Sequence, residues 1–485
     1  RKPRQRQDPK RVFAHQYLPV LPRLCAGMSA MKFNRRRLFA AFAGAASAGA
    51  ATPVVARESF PVAPVARAEI DATSLGVRPN AEIDQSAILQ SAITRAAAAG
   101  SLLRLPPGLY HAGALQLPPF AAIAGVIGST RLVMTAGPSL LMATGSDYVS
   151  VSGLVLDGNR VALPDGRGLL HLTQGRALRL TDCMIVDAGG NGVMLDAIAG
   201  EITNNTVIDA ANHAIFSNDA AGLRIAGNTV RRAGNGGILV WRSKPGDDGT
   251  LVIDNRIEDV ANKAGGSGQY GNAINVFRAD NVIVRGNRIR NAAFSAVRGT
   301  DASNLQIIGN ACSGLGECAI YAEFGFEGAV IANNIVDGAA AGVSVTNFDK
   351  GGRLGVVQGN LIRNLTRRQP PGSDPHDTVG IGVEADTVVA GNVVESINGI
   401  GIQAGWGPYL RDVSVTANIV RGTDYGITVS VASGAGTAVI ANNLVSGARL
   451  GAIVGTEWAK TVAGDLIKDG ANRYAQLSID GNRVR

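Results

Sequence analysis

Apolar positions along this chain fall in runs of three to five, Val and Ile alternating with small or polar residues, and Gly, Asn or Asp breaks almost every run. LRIAGNTVRRAGNGGILV (223–240), NVIVRGNRIRNAAFSAV (281–297) and AVIANNIVDGAAAGVSV (329–345) are examples. Alternation over so few positions suits strands and is too short for helices. One phrase punctuates the runs: Gly, Ala, Asn or Asp, then Asn, one variable residue and one apolar residue. Its Asn falls at Asn205, Asn228, Asn255, Asn287, Asn310, Asn334, Asn360, Asn392, Asn418 and Asn443, and Cys183 fills the slot in the first copy. The copies lie 22 to 32 residues apart, a solenoid period.

Three strand-like runs in about 23 residues leave no room for a crossover helix, so the chain must wind as a helix of strands. Leucine-rich repeats share the period, but their LxxLxLxxN frame is absent. The expected fold is all-β, a right-handed parallel β-helix of about 11–12 coils. Equivalent turn positions then stack about 4.8 Å apart. The repeated Asn reads as a structural amide ladder rather than a metal or sugar site. Cys183 and Cys312 read as small buried fillers, with a Cys312–Cys318 disulfide as an alternative. No CxxC or His/Cys cluster suggests zinc or haem.

A solenoid end exposes unpaired strands, so a cap belongs there. A helix is expected over 84–99, with Asp84 as N-cap, Ile88, Leu89, Ala92, Ile93, Ala96 and Ala97 on one face, and Gly100 after it. The expected organisation is residues 1–30 as upstream translation outside the native protein, 31–56 as a signal peptide and 57–135 as linker and cap. The β-helix follows over 136–460, and a C-terminal coil or cap over 461–485.

Composition changes this picture only in the leader. Hydrophobic residues make up 46% and charged residues 17%, and 62 glycines serve tight turns. The net charge of +8 belongs to residues 1–56, which hold 11 Lys or Arg against one acid, whereas the remainder has 35 basic and 37 acidic residues. A near-neutral body argues against nucleic-acid binding. Within the leader, Asn34-Arg35-Arg36-Arg37-Leu38-Phe39 matches the twin-arginine export pattern, with Arg35 and Arg36 as the signal pair. The apolar stretch after it, Leu38 to Ala51, is too short and mild for a membrane span. Cleavage is expected after Ala56 or Ala68, and the export machinery is an expected partner. The mature protein is expected in the periplasm or secreted.

Leu102 to Leu105 followed by Pro106-Pro107-Gly108-Leu109-Tyr110, and the phrase VSGLVLDG (151–158), resemble the entry and first coil of the pectate-lyase-like β-helix superfamily. With the leader and the Asn phrases, nearly the whole chain after Met31 resembles the twin-arginine-translocated repeat proteins. That resemblance implies the fold and export and no particular reaction.

Chemistry is sought on the most regular strand, which opens with Gly or Ala and then Ile or Val. Its third residues point outward: Met194, Phe216, Leu239, Asn275, Arg298, Tyr321, Ser344, Glu384, Gln403 and Thr428. Two residues on, the same face carries Trp241, Phe277, Glu323 and Asp386. Arg298, Tyr321, Glu323 and Glu384 are the candidate catalytic groups. Asn275, Arg278, Asn347, Asp349, Lys350, Asp386, Gln403, Trp406 and Tyr409 are candidate substrate contacts. Charged groups with flanking aromatics suit a sugar groove, and an outward solvated face is the plain alternative. As outward residues, the catalytic candidates are expected to leave the core unaffected when replaced, whereas the Phe216 end should behave as packing.

Three motifs compete. Gly246-Asp247-Asp248-Gly249 resembles the paired aspartates of polygalacturonases but reads as a turn, because that family's partner motifs are missing. Asp374-Pro375-His376-Asp377 resembles the Asp-Pro-His of mannuronan C5-epimerases but lies in a loop. A pectate-lyase arrangement would use Arg298 as base with calcium, yet no dense acidic cluster offers six oxygens, so no cofactor is expected. The functional expectation is a polysaccharide-interacting protein, either a lyase, hydrolase or epimerase, or a non-catalytic envelope binding rod.

Overall fold

The computed structural model describes residues 68–266, 268–368, 378–468 and 470–485. Within them the chain winds through about 15 coils of a parallel β-solenoid. Each full coil contributes one strand to each of three parallel sheets. Sheet 1 starts at Glu69–Asp71 and pairs onward to Leu477–Asp480. Sheet 2 starts at Ala81–Asp84 and ends at Arg483–Val484. Sheet 3 starts at Leu115–Gln116 and ends at Gly451–Glu457, where Lys460–Asp465 folds back antiparallel. The coil count exceeds the 11–12 expected because the first coils lack the Asn phrase; the segment 57–135 already contributes paired strands.

The core is a stack of like residues. Along sheet 3, Val193, Ile215, Ile238, Ile274, Val297, Ile320, Val343, Ile381, Ile402, Ile427 and Ile453 lie one above another, all buried. Each such burial contributes roughly 1.5–3 kcal/mol. Cys312 fills the equivalent row of sheet 2, between Ile289 and Val336. Cys183, Cys312 and Cys318 are free and buried, and Cys312 and Cys318 sit on different sheets, so the alternative disulfide is not formed.

The Asn ladder occupies the turn from sheet 1 to sheet 2. Asn205 Oδ1 accepts the Cys183 N–H, and from Asn228 onward each Asn Oδ1 accepts both the backbone N–H and the Nδ2 of the Asn one coil earlier, as in Asn255 to Asn287 at 2.9 and 3.0 Å. Its own Nδ2 also donates to a backbone carbonyl of the preceding coil, for Asn287 that of Val252. The residue before each Asn adopts positive φ, which explains the leading Gly, Asn or Asp (Gly286 68°, Asn333 57°, Asp254 57°); Ala417, at 55°, is an exception. A further rung, Asn482, accepts from Asn443 and closes the ladder.

Helix α1 (Ser86–Ala98) caps the N-terminal end with Leu89, Ala92, Ile93 and Ala96 buried. Gln85, not Asp84, holds the N-cap position, and Asp84 reaches forward to accept from the N–H of Ser86. Among the described residues no helix is long and apolar enough to cross a membrane.

Candidate functional site

The outer face of sheet 3 is not a uniformly solvated strip. Met194 and Phe216 are half-buried, whereas Leu239, Asn275, Arg298 and Thr428 are buried. Residues 268–271 cover part of it: the Gly268 carbonyl accepts from Asn272 and Asn275, and Tyr270 stacks on His213. His213, Phe216, Trp241 and Phe277 form a continuous chain of edge-on and tilted ring contacts with centroids 5.1 to 5.5 Å apart. Burial drives the His213 imidazole down to about 4, so it is neutral packing at physiological pH.

Four coils carry the polar centre. Arg298 pairs with Tyr321 on the next strand, and Thr300 with Glu323. The guanidinium of Arg298 donates to Glu323 through Nε (2.7 Å) and Nη2 (3.2 Å), and to Glu317 through Nη1 (3.2 Å), while it lies 4.7 Å above the Tyr321 ring. The Thr300 hydroxyl donates to Glu323 at 2.9 Å. Arg298, Glu317 and Glu323 are each less than a tenth exposed. Burial alone would weaken the hold of Arg298 on its proton, but Glu323 and Glu317 reverse that and raise it above its ordinary range. Burial lifts the Tyr321 phenol well above its usual value, with Cys318 and Glu317 adding to the effect. Replacing Arg298 or Glu323 therefore disturbs a buried ion cluster, contrary to the expectation that such changes leave the core unaffected. Glu317 carried no sequence signal, because it precedes the strand and is brought in by the turn.

Glu384 is displaced from its expected row. Ser344 pairs with Gly382, so Gly382 holds the outward slot and Glu384 falls in the next row beside Thr346, after Glu323. The misreading arose in Val379-Gly380-Ile381-Gly382-Val383, where two overlapping Gly-apolar frames both fit. Glu384 is buried and accepts the Phe348 N–H at 2.7 Å. Burial lifts its carboxyl to about 7, against the pull of the Phe348 and Asn347 amides.

The remaining candidates do not all converge. Asn275 accepts from Trp241 Nε1 at 3.2 Å, and Arg278 lies over Phe277 at 4.6 Å. Asn347 sits in a left-handed turn, and Asp349 and Lys350 pair with each other on the surface. Asp386 is no strand residue: it adopts positive φ at the corner before sheet 1 and binds Arg411, which lowers its carboxyl pKa. Gln403 lies four strands from Arg298, about 19 Å at the strand spacing. Trp406 and Tyr409 pack against Trp458 at the tip of the terminal hairpin. Asp248 is buried in a turn and accepts from Thr250 N–H. Residues 374–377, Arg35 and Arg36 lie outside the described residues. Among the described residues no group of three or more His, Cys, Asp or Glu is placed to hold a metal ion.

The family model for the right-handed β-helix region matches residues 136–257, 201–352 and 245–411, together more than half of the chain. No curated protein matches the sequence. Similar solved structures include PfbA, a surface adhesin of Streptococcus pneumoniae (14% identity, 81% of this chain and 94% of that one, TM-score 0.49). Another is the A-module of the mannuronan C-5 epimerase AlgE6 of Azotobacter vinelandii (13%, 86% and 99%, 0.41). A third is the catalytic unit of a GH87 α-1,3-glucanase from Streptomyces thermodiastaticus (13%, 87% and 70%, 0.42). At these values no role passes from any of them to this chain. The family match, the three parallel sheets and the internal Asn ladder agree, and the chain belongs to the right-handed β-helix family.

Proposed function

We propose that this chain hydrolyses glycosidic bonds of a polysaccharide laid along the outer face of sheet 3, with Glu384 as proton donor and Glu323 as its ionised partner. One observation carries the reading: two carboxylates share a row, two coils apart, in opposite electrostatic settings. Glu323 is held by Arg298, whereas Glu384 has its pKa lifted to about 7 by burial. A carboxyl that burial keeps protonated, beside a second carboxylate engaged by a guanidinium, gives the two groups separate roles. Two coils correspond to about 10 Å between strands, which leaves room for a water and a sugar ring between the carboxylates. Thr346 lies between them in the same row, its hydroxyl hydrogen-bonded to that of Ser344 in the neighbouring row. Eliminative chemistry fits less well, because a base must release its proton and two carboxylates hold the proton of Arg298 in place.

Incubation of the purified protein with a polysaccharide panel is expected to generate new reducing ends without ultraviolet-absorbing unsaturated products. Glu384→Gln should abolish cleavage and retain binding. Cleavage by the native protein should decline as pH rises through about 7, where Glu384 loses its proton. The same shift makes a second prediction by linkage. The folded state keeps this proton up to about 7, the unfolded state only to the ordinary 4.5, so stability falls as pH rises between those values. Glu384→Gln should flatten that decline, and an unchanged pH–stability curve would refute the buried acid.

The non-catalytic rod retains one specific support: Arg298, Glu317 and Glu323 satisfy one another and are nearly inaccessible. Polysaccharide binding without new ends would favour it. For either role the Arg35-Arg36 pair and the resemblance to twin-arginine-translocated repeat proteins support export. Arg35→Lys with Arg36→Lys should leave the precursor in the cytoplasm, since the pattern reads guanidinium groups. Periplasmic recovery of the double variant on fractionation would mean that another signal exports it.

A further inference from the structure

We propose that Met142, His171 and Met194 form a binding site for Cu(I) toward the N-terminal end of the outer face of sheet 3. The three lie on successive coils in direct register, Met142 opposite His171 and His171 opposite Met194. Their chain neighbours Leu141 and Ala143, Leu170 and Leu172, and Val193 and Leu195 are all buried. Strand alternation therefore turns both thioethers and the imidazole outward, away from the core. All three side chains belong to half-buried residues. Arg298 lies four strands beyond Met194 on the same face, past Phe216, Leu239 and Asn275, so the site is separate from the paired carboxylates.

The donor set selects the ion. A thioether is a soft, uncharged ligand that favours Cu(I), and imidazole suits copper as well. Zinc sites draw on Cys, His and carboxylates, and calcium and magnesium on oxygen, so two methionines add little for those ions. The chain has only 6 methionines and 5 histidines among 485 residues, so composition alone would seldom set a methionine on both sides of a histidine. Methionine ordinarily fills gaps in a core, and these two stand outside it. Neighbouring strands lie about 4.8 Å apart, which puts the two methionine backbones about 10 Å from each other. Each side chain is unbranched with three rotatable bonds, and it has to lean toward His171 by less than one strand spacing for the sulfurs to meet an ion held by the ring. The imidazole is prepared for this. Its Nδ1 is buried and has no hydrogen-bond partner among the described residues, an orphaned group that a metal would satisfy. Burial, with the positive charge of Arg167 adding to it, lowers the His171 pKa below its ordinary value against the opposing pull of Asp196. The ring is therefore neutral at neutral pH and offers a nitrogen lone pair. Asp196 stands two residues beyond Met194 on the same face, held by Asn218 at 2.8 Å, and its negative charge offsets the repulsion of a cation by Arg167.

Anaerobic titration of the purified full chain with Cu(I), in competition with a chromophoric Cu(I) chelator, tests this. The native protein is expected to take up one equivalent that the double variant Met142→Leu with Met194→Leu does not bind. X-ray absorption of the copper-loaded protein should show sulfur and nitrogen donors together, and the sulfur signal should vanish in the double variant. Loss of a mere outer-shell partner of a metal site costs 10–100-fold in affinity, so His171→Ala and each single Met→Leu change should weaken binding by about tenfold or more. Leu conserves the volume of Met, so both Leu variants should melt like the native chain and a lost site is not confused with a lost fold. Zn2+ should bind far more weakly than Cu(I). A native chain that binds no Cu(I) would overturn the proposal. So would a double variant that binds it as tightly as the native chain, which would assign the copper to the cysteine thiols or the leader, or Zn2+ bound as tightly as Cu(I).

Discussion

Asn287→Leu is expected to destabilise the protein by about 3 kcal/mol, because the substitution strips a buried rung of every side-chain bond it makes. Asn255 loses the acceptor for both its backbone N–H and its Nδ2, and the carbonyl of Val252 loses its donor. Each group is sealed from water, since Asn255 and Asn287 are at most 1% exposed. Leu restores volume and no hydrogen bond, so the loss is polar rather than a cavity effect. Asn482→Leu at the half-buried last rung should cost clearly less, as water reaches the groups it frees. Chemical denaturation of both variants measures the difference. Equal, negligible losses would mean that the amides merely fill space.

Arg298→Leu should be the more damaging change near neutral pH, at about 3–5 kcal/mol. Its removal takes from Glu317 and Glu323, each below a tenth exposure, the guanidinium that both of them bind. The loss should shrink as pH falls, because protonation removes the uncompensated charge. Adding Glu317→Gln and Glu323→Gln to Arg298→Leu should recover much of the stability, since replacing a whole buried cluster is far milder than halving it. Melting of the single variant at neutral pH like the native protein would show that solvent reaches these carboxylates. This cluster also explains why activity tests belong at Glu384 first: an inactive Arg298 variant is ambiguous between lost chemistry and lost fold.

The winding of the chain was legible from sequence because a solenoid makes its contacts between equivalent positions one period apart. The Asn phrase, the inward Ile and Val of sheet 3 and the filler role of Cys312 follow from that repetition alone, whereas the buried face of α1 was legible from its own helical spacing. A register is readable only where the repeat is unambiguous. In Val379-Gly380-Ile381-Gly382-Val383 two frames fit, and only hydrogen bonding to Ser344 and Val345 on the preceding coil decides that Glu384 lies in the Glu323 row. Burial of the outward row was likewise invisible, because residues 268–271, in the loop just before the strand that carries Asn275, have no repeating signature yet fold back over Asn275 and His213. Glu317 joined Arg298 through a turn with no repeating signature. Periodicity determines which residues stack, and therefore the core. Which side chains meet across the outer face depends on loops of unequal length, and only the tertiary structure places those.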